Sequence, residues 1–360
     1  MVSLKAVEPS LIPPDTDPSE LDNIIASYYY SCKEVTPYCP VEATTLGYRP
    51  NLGINIFFAV MFGLSAVTTL YFGIKKKTWG YMGFIAAGCA LEMAGYASRV
   101  PLHSNPWNKH AFETQIVAII LAPTLICISI YLTLKHVCLA LNPSLSPVKP
   151  QRYPYIFVPL DVSCLLVQAV GGALAAGGAL KDFKLVSHGN RAIVAGIVLQ
   201  VVVLGGFGGV VGVYWWRMSK WIKTEQASTE TLALWKDKRF RMFVYAVTAA
   251  YSGILIRCIY RIAEMAGGWG NHIMQDEPSF IVLEGFMVLI PCVLLASFPP
   301  GLLFPQMAAR MSGPGTREMS GTVDAQSQAE PKIGASKVQA ASAEHSLGEI
   351  QGNVGLANPR

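Results

Sequence analysis

Apolar residues in this chain do not alternate with polar ones; they run together. From about residue 51 onward, long stretches rich in Leu, Ile, Val, Phe, Ala and Gly are separated by short polar or basic links. Seven stretches reach the roughly 17 to 25 mostly apolar residues that carry a helix across a hydrocarbon core. They are about Leu52–Ile74, Trp79–Ser98, Gln115–Val137, Tyr155–Leu180, Ala192–Trp216, Met242–Ala266 and Phe280–Phe304. The pattern predicts an all-α polytopic membrane protein, a seven-transmembrane-helix bundle over residues 51–306. Composition agrees: 52% of the 360 residues are hydrophobic and 14% charged, against roughly 25% charged in soluble domains. Mean hydropathy is +0.38.

The links set the orientation. Taken alternately, one set holds Lys75, Lys76 and Lys77, then Lys149 and Arg152, then Arg217, Lys220, Lys223, Lys236, Lys238, Arg239 and Arg241. The other set holds only Lys109, Lys181, Lys184 and Arg191. The basic side faces the cytoplasm, which places the N-terminus outside and the C-terminus inside. The basic link 217–241 suits contact with anionic inner-leaflet lipid, or is simply solvated charge.

Residues 1–50 are polar, acidic and proline-bearing, with no apolar core of the signal-peptide kind, and read as an extracytoplasmic arm. Cys32 and Cys39 fall on the oxidising side and predict a short disulfide loop, the alternative being two free thiols in a disordered arm. Beyond about Met307 the composition shifts to Ser, Gly, Ala, Gln and charge, so residues 307–360 read as a disordered cytoplasmic tail.

The candidate chemistry lies in charges placed where lipid would otherwise be. In the sixth span, Arg257, Arg261 and Glu264 are spaced by four and seven residues, which puts them on one helix face. An intramembrane charge costs roughly 2.5 to 3.5 kcal/mol on insertion scales, so it needs a partner and marks a functional position. The second span repeats the spacing with Glu92, Tyr96 and Arg99, the arginine either sharing the buried stripe or snorkelling to the outer interface. The fourth carries Asp161 and Gln168, the fifth Gln200, and the seventh Glu277 and Glu284. Asp161 lies toward the inner side and is neutral, paired with the loop residue Arg152, or open to a cationic ligand. The remaining charges fall in the outer half, and their near-cancelling signs suit a network of buried pairs. Ala122-Pro123 predicts a kink in the third span.

Glycines 205, 206, 208 and 209 lie inside an apolar span with no preceding strand and no following Gly-Lys-Ser/Thr, so they are not a phosphate loop. His103 and His110 lack an acidic or cysteine companion, and no metal site is expected. No cofactor motif, clustered nucleophile or nucleic-acid signature points to an enzyme or a nucleic-acid partner.

The ordered set Tyr48-x-Pro50, Glu92-x-x-Gly95-Tyr96-x-x-Arg99, Ala122-Pro123 with Tyr131, Asp161-Val162 with Gln168 and Gly171-Gly172, Gly196 with Gln200, Arg257-x-x-x-Arg261-x-x-Glu264, and Glu277 with Glu284 resembles the RTA-like lipid-translocating exporters, fungal seven-helix membrane proteins. The resemblance covers about residues 46–306. It implies plasma-membrane or endomembrane proteins linked to export of sphingoid long-chain bases, to resistance against toxic amphiphiles and, in one member type, to porphyrin uptake. Substrate-binding or translocation roles would then fall on Glu92, Tyr96, Arg99, Asp161, Gln168, Gln200, Arg257, Arg261, Glu264, Glu277 and Glu284, with membrane lipids or amphiphilic small molecules as partners. Two places depart from that family's pattern: Pro299-Pro300-Gly301 stands where His-Pro-Gly is usual, and the aromatics after Glu277 are reduced to Phe280. A seven-helix receptor or stress sensor without transport activity shares the same outline.

Overall fold

The computed structural model describes residue 29 and residues 31–178, 183–224 and 229–298. Its main helices are α1 (Leu52–Lys76), α2 (Trp79–Ser104), α3 (Lys109–Leu141), α4 (Tyr153–Gly178), α5 (Phe183–Ile222), α6 (Lys238–Ala266) and α7 (Glu277–Ser297). A short helix, Thr229–Lys236, precedes α6. No strand occurs among the described residues.

All of these except α2 and the short helix are long and apolar enough to cross a bilayer. The chain is an integral membrane protein. α2 matches the others in length but carries Glu92 and Arg99, and it folds back antiparallel along α1. The Pro50 carbonyl accepts from His103 Nδ1 (2.8 Å), which brings the last turn of α2 to the first turn of α1. The end where residues 31–50 lie is called the arm end below, and the opposite one the basic end.

Helix starts follow local chemistry. Asn51 Oδ1 accepts from the backbone amides of Gly53 and Ile54, Asn108 Oδ1 from Ala111, and Asp237 Oδ1 from Arg239, each satisfying an otherwise orphaned N–H. α1 stops at Lys77, whose backbone is left-handed at φ 55°. The Asn108 and Asp237 caps explain why α3 and α6 begin before their apolar stretches, and α5 too outruns its own. α3 begins at Lys109 rather than near Gln115, α5 runs from Phe183 to Ile222 rather than Ala192 to Trp216, and α6 begins at Lys238 rather than Met242. Hydrophobicity marks where a helix meets lipid, whereas the backbone continues until a cap or turn ends it. Pro101 and His103, beyond the apolar stretch that ends near Ser98, lie in the last turns of α2. The basic link 217–241 is largely helical, and the expected tail falls outside the described residues.

The bundle is apolar on the outside as well as within. Val60, Leu64 and Val67 of α1 and Leu166 and Val170 of α4 are exposed, a surface suited to acyl chains. α3 is the enclosed member: 67% of its most apolar stretch is buried, against 28% in α1 and in α4. Around it sit two aromatic clusters. Phe58, Phe62 and Tyr96 join α1 to α2, with ring centroids 4.8 and 5.5 Å apart, and Tyr131, Phe157 and Phe207 join α3, α4 and α5.

At the arm end, Cys32 and Cys39 form a disulfide. Trp107 donates from Nε1 to the Cys39 carbonyl (3.1 Å), and Asn105 donates to the Lys33 carbonyl (2.8 Å), so the loop is held against the α2–α3 connection.

α4 and α5 approach each other through glycines. A Cβ at Gly189 would meet the Ala175 amide nitrogen at 2.5 Å and the Gly171 carbonyl at 2.6 Å, both backbone atoms that have no rotamer to escape into. Gly189→Val should therefore lower the unfolding midpoint of the detergent-purified protein by an amount equivalent to about 1–3 kcal/mol. Gly172→Ala, which has open space, should leave that midpoint in place.

Candidate functional site

The site begins with a missing proton donor. Pro123 has no N–H, so the carbonyl four residues earlier, Ile119, loses its helical partner in the middle of the most enclosed helix. Arg257 of α6 takes that place, donating from Nη2 to the Ile119 oxygen at 2.8 Å. The same guanidinium reaches α7, where Nε and Nη2 lie 2.8 and 2.5 Å from Glu284 Oε1. Arg257 is 3% exposed and Glu284 1%, so one buried cation ties three helices together.

Glu284 reaches this position from a π-helical turn, Ile281–Phe286, inside α7. Such turns hold an extra residue and recur at functional sites. Gly285 within the turn packs so tightly on α1 that an added Cβ would meet the Phe58 ring at 2.5 Å.

A second arginine closes the arm end. Arg99 of α2 is 1% exposed and does not snorkel. Its Nε donates to Asn55 Oδ1 (2.7 Å), its Nη2 donates to the Tyr48 hydroxyl (3.1 Å) and lies 3.8 Å from Glu277, and its guanidinium sits over the Phe280 ring at 4.3 Å. Glu277 also accepts from the Asn51 amide (2.7 Å), which joins α7 to the start of α1. Burial pushes the Tyr48 phenol above its usual range, with Arg99 opposing.

The third arginine pairs within its own helix, Arg261 Nη1 donating to Glu264 Oε2 at 2.6 Å. This pair lines a cavity of about 10 Å³ with Gln115, Ile119, Met274 and Phe280, about the room that one water needs.

Toward the basic end the polar line continues on α3. Thr124 Oγ1 accepts from Gln200 Nε2 (3.2 Å), and Gln200 Oε1 accepts from Gln168 Nε2 (3.1 Å), joining α3, α5 and α4. Tyr131 then donates to Asp161 Oδ2 at 2.7 Å. The partner of Asp161 is therefore Tyr131 rather than Arg152. Asp161 Oδ1 is buried with no hydrogen-bond partner, behind the lipid-exposed Leu160 and Val162. Ile119 and Tyr131 are twelve residues apart, about 18 Å along the helix axis.

The structure thus brings Arg257 to Glu284, Arg99 to Glu277 and Gln168 to Gln200, while the Arg261 and Glu264 side chains pair with each other. Glu92 and Tyr96 are buried with Glu92 Oε1 and the Tyr96 hydroxyl unpartnered. Sequence reasoning did not single out Asn55, Thr124 or the Ile119 carbonyl. Asn55 and Thr124 were visible as polar residues within apolar runs, and Pro123 was the signal for the carbonyl. His103 is spent on Pro50, and His110 faces Glu113 at the exposed start of α3.

The model of the family described as RTA1 like protein matches residues 85–307, which contain all of these helices from within α2 to the end of α7. The chain belongs to the RTA1-like family. Among relatives of this RTA1-like protein, the sphingoid long-chain base transporter RSB1 of Saccharomyces cerevisiae is 29% identical over 72% of this chain and 74% of its own length. Protein RTA1 of that yeast is 26% identical over 70% and 84%, and protoporphyrin uptake protein 1 is 28% identical over 64% and 71%. No solved structure matches.

The Arg257–Glu284 contact has a direct test. Arg257→Leu leaves Glu284 buried without its counter-charge and should cost about 3–5 kcal/mol, seen as a large drop in the unfolding midpoint in detergent. Adding Glu284→Leu removes the stranded charge and should recover most of that loss.

Proposed function

We propose that this RTA1-like protein moves amphiphilic lipids with cationic head groups, sphingoid long-chain bases among them, between the leaflets of a membrane. The observation that carries the reading is the interior polar line: Asp161 with Tyr131, then Gln168, Gln200 and Thr124, then Arg257 and Glu284, enclosed within a bundle whose outer faces are apolar. A purely structural core has no need for polar groups at each level of one helix, and buried ion pairs add little to stability over well-packed apolar residues. A head group crossing a bilayer does need them, because each step replaces hydration that lipid cannot supply.

In this reading α2 is the seventh span, its charges compensated by the pairing described above. The arm end is extracytoplasmic and the basic end cytoplasmic, and the residence is a fungal plasma membrane. The ammonium of a long-chain base enters from the inner leaflet between lipid-facing helices and engages the free Asp161 Oδ1, while its chain stays in hydrocarbon. It then passes the glutamines toward Glu92, Arg257, Glu264 and Glu284, and the basic link 217–241 holds the cytoplasmic face against anionic lipid. Toxicant resistance follows if the same route accepts other cationic amphiphiles. The sequence offers no nucleotide-binding loop, so the movement runs down a gradient of lipid or ion.

The small cavity implies that the described state is closed at the arm end, and that helices must part for a head group to leave. The relative named as a sphingoid long-chain base transporter supports this choice of substrate class.

Asp161→Asn keeps the shape and the Tyr131 contact but removes the charge. A charge-assisted hydrogen bond contributes about 1.5–3 kcal/mol, so transfer of a labelled long-chain base across purified proteoliposomes should fall by roughly ten- to a hundredfold. A rate equal to wild type rejects the Asp161 role, and a wild-type protein that moves nothing without a cytoplasmic partner favours a receptor.

A further inference from the structure

Counting charges at the arm end leaves one over. Arg99, Arg257 and Arg261 each lie within 4 Å of a carboxylate, namely Glu277, Glu284 and Glu264. Among the described residues, Glu92 is the remaining buried carboxyl at that end. It is 1% exposed, forms no ion pair among the described residues, and its Oε1 has no hydrogen-bond partner. A carboxylate in that position carries a large desolvation cost with no direct ion-pair partner of its own to offset it.

The groups around Glu92 can be taken element by element. On its own helix they are Cys89 and Tyr96, and Arg99 lies one turn beyond Tyr96. α6 presents Arg257 and Arg261, and α7 presents Glu284 and Cys292. α1 keeps its titratable residues, Tyr71, Lys75 and Lys76, at the basic end. α3 is level with Glu92 between Ile119 and Ile126, because Gly95 packs on Ile119 and Gly88 on Ile126, and that stretch contains no titratable residue. Both nearby arginines are engaged, Arg257 by Glu284 and Arg261 by Glu264. Glu284 Oε2 and the Tyr96 hydroxyl, in the same neighbourhood, also lack partners.

We propose that Glu92 is a proton-binding site whose proton is exchanged for the organic ammonium that the protein moves. The exchange part of this inference rests on the transport reading above. With Glu92 protonated, the three arginines and the three carboxylates paired with them balance. An incoming ammonium adds one positive charge. The carboxyl O–H of Glu92 breaks, the proton leaves to water, and the resulting carboxylate stands opposite the ammonium, so the buried charge again sums to zero. When the ammonium departs, a proton from water restores the acid. No oxidant, metal or nucleotide is needed, and the unpartnered oxygens of Glu92 and Glu284 become the acceptors that the ammonium N–H groups use.

Two measurements on the full-length purified protein test this. The first is infrared difference spectroscopy between wild type and Glu92→Gln at neutral pH. The wild type should show a protonated-carboxyl C=O band that Glu92→Gln lacks and Glu92→Asp restores. The second is addition of a sphingoid long-chain base to lightly buffered detergent solutions containing a pH indicator. Wild type and Glu92→Asp should release a proton for each base bound, and Glu92→Gln should release none beyond the buffer blank. A band unchanged by Glu92→Gln overturns the proton site, and proton release equal in wild type and Glu92→Gln overturns the exchange. If no base binds to wild type, the transport reading falls with the exchange, while the infrared measurement still decides whether Glu92 holds a proton.

Discussion

A guanidinium cannot shed its charge, so placing Arg257 inside the bundle obliges the rest of the structure to surround it with acceptors. Those acceptors come from two different departures from regular helix. Pro123 frees the Ile119 carbonyl on α3, and the π-helical turn of α7 carries Glu284. Each departure alone weakens its helix. Together they place an acceptor on two sides of one cation, and the register among α3, α6 and α7 is fixed by that single group. The close approach of α6 to α7 agrees with this arrangement, since a Cβ at Gly253 would meet the Met287 carbonyl and Pro291 at 2.9 Å. That carbonyl is again one whose helical donor is replaced by proline.

The remaining polar contacts can be understood as stations on the enclosed helix. They sit at successive levels of α3, at Ile119, Thr124 and Tyr131, and each draws a partner from a different neighbour, α6, α5 and α4 in turn. Apolar packing binds helices without specifying which level meets which, whereas a hydrogen bond that must be made in a low-dielectric interior does specify it. The same contacts are breakable one at a time, which a uniformly apolar core would not permit. The transport proposed above, with the bundle opening at one end and then at the other, needs this property.

The arm end shows how family variation could act. Phe280 is the aromatic over which Arg99 sits, and it follows Glu277 at a place where the resemblance led us to expect more aromatics. Besides that ring, Arg99 meets Asn55 and Tyr48, which supply acceptors for its desolvated charge. The yeast relatives carry printed names that differ in cargo, long-chain bases in one and protoporphyrin in another.

How much of this was legible beforehand differs by kind. Unbroken apolar runs fixed the helical, membrane-embedded class, because the length of hydrocarbon to be crossed is a one-dimensional requirement that residues meet in series. The charged stripes at offsets of four and seven were equally visible, since helical periodicity assigns a face without reference to any neighbour. Helix ends were misplaced where a capping Asn or Asp, not hydrophobicity, set the limit. Partner choice was beyond reach: nothing local says that Arg99 turns to Asn55 and Glu277, that Arg257 meets a carbonyl freed by Pro123, or that Asp161 meets Tyr131. Those contacts join residues as far apart in the chain as Arg99 and Glu277, and they depend on the rotation and level of each helix against the others. Only the packed bundle decides that, because it alone determines which buried charge is satisfied and which, as with Glu92, is left over.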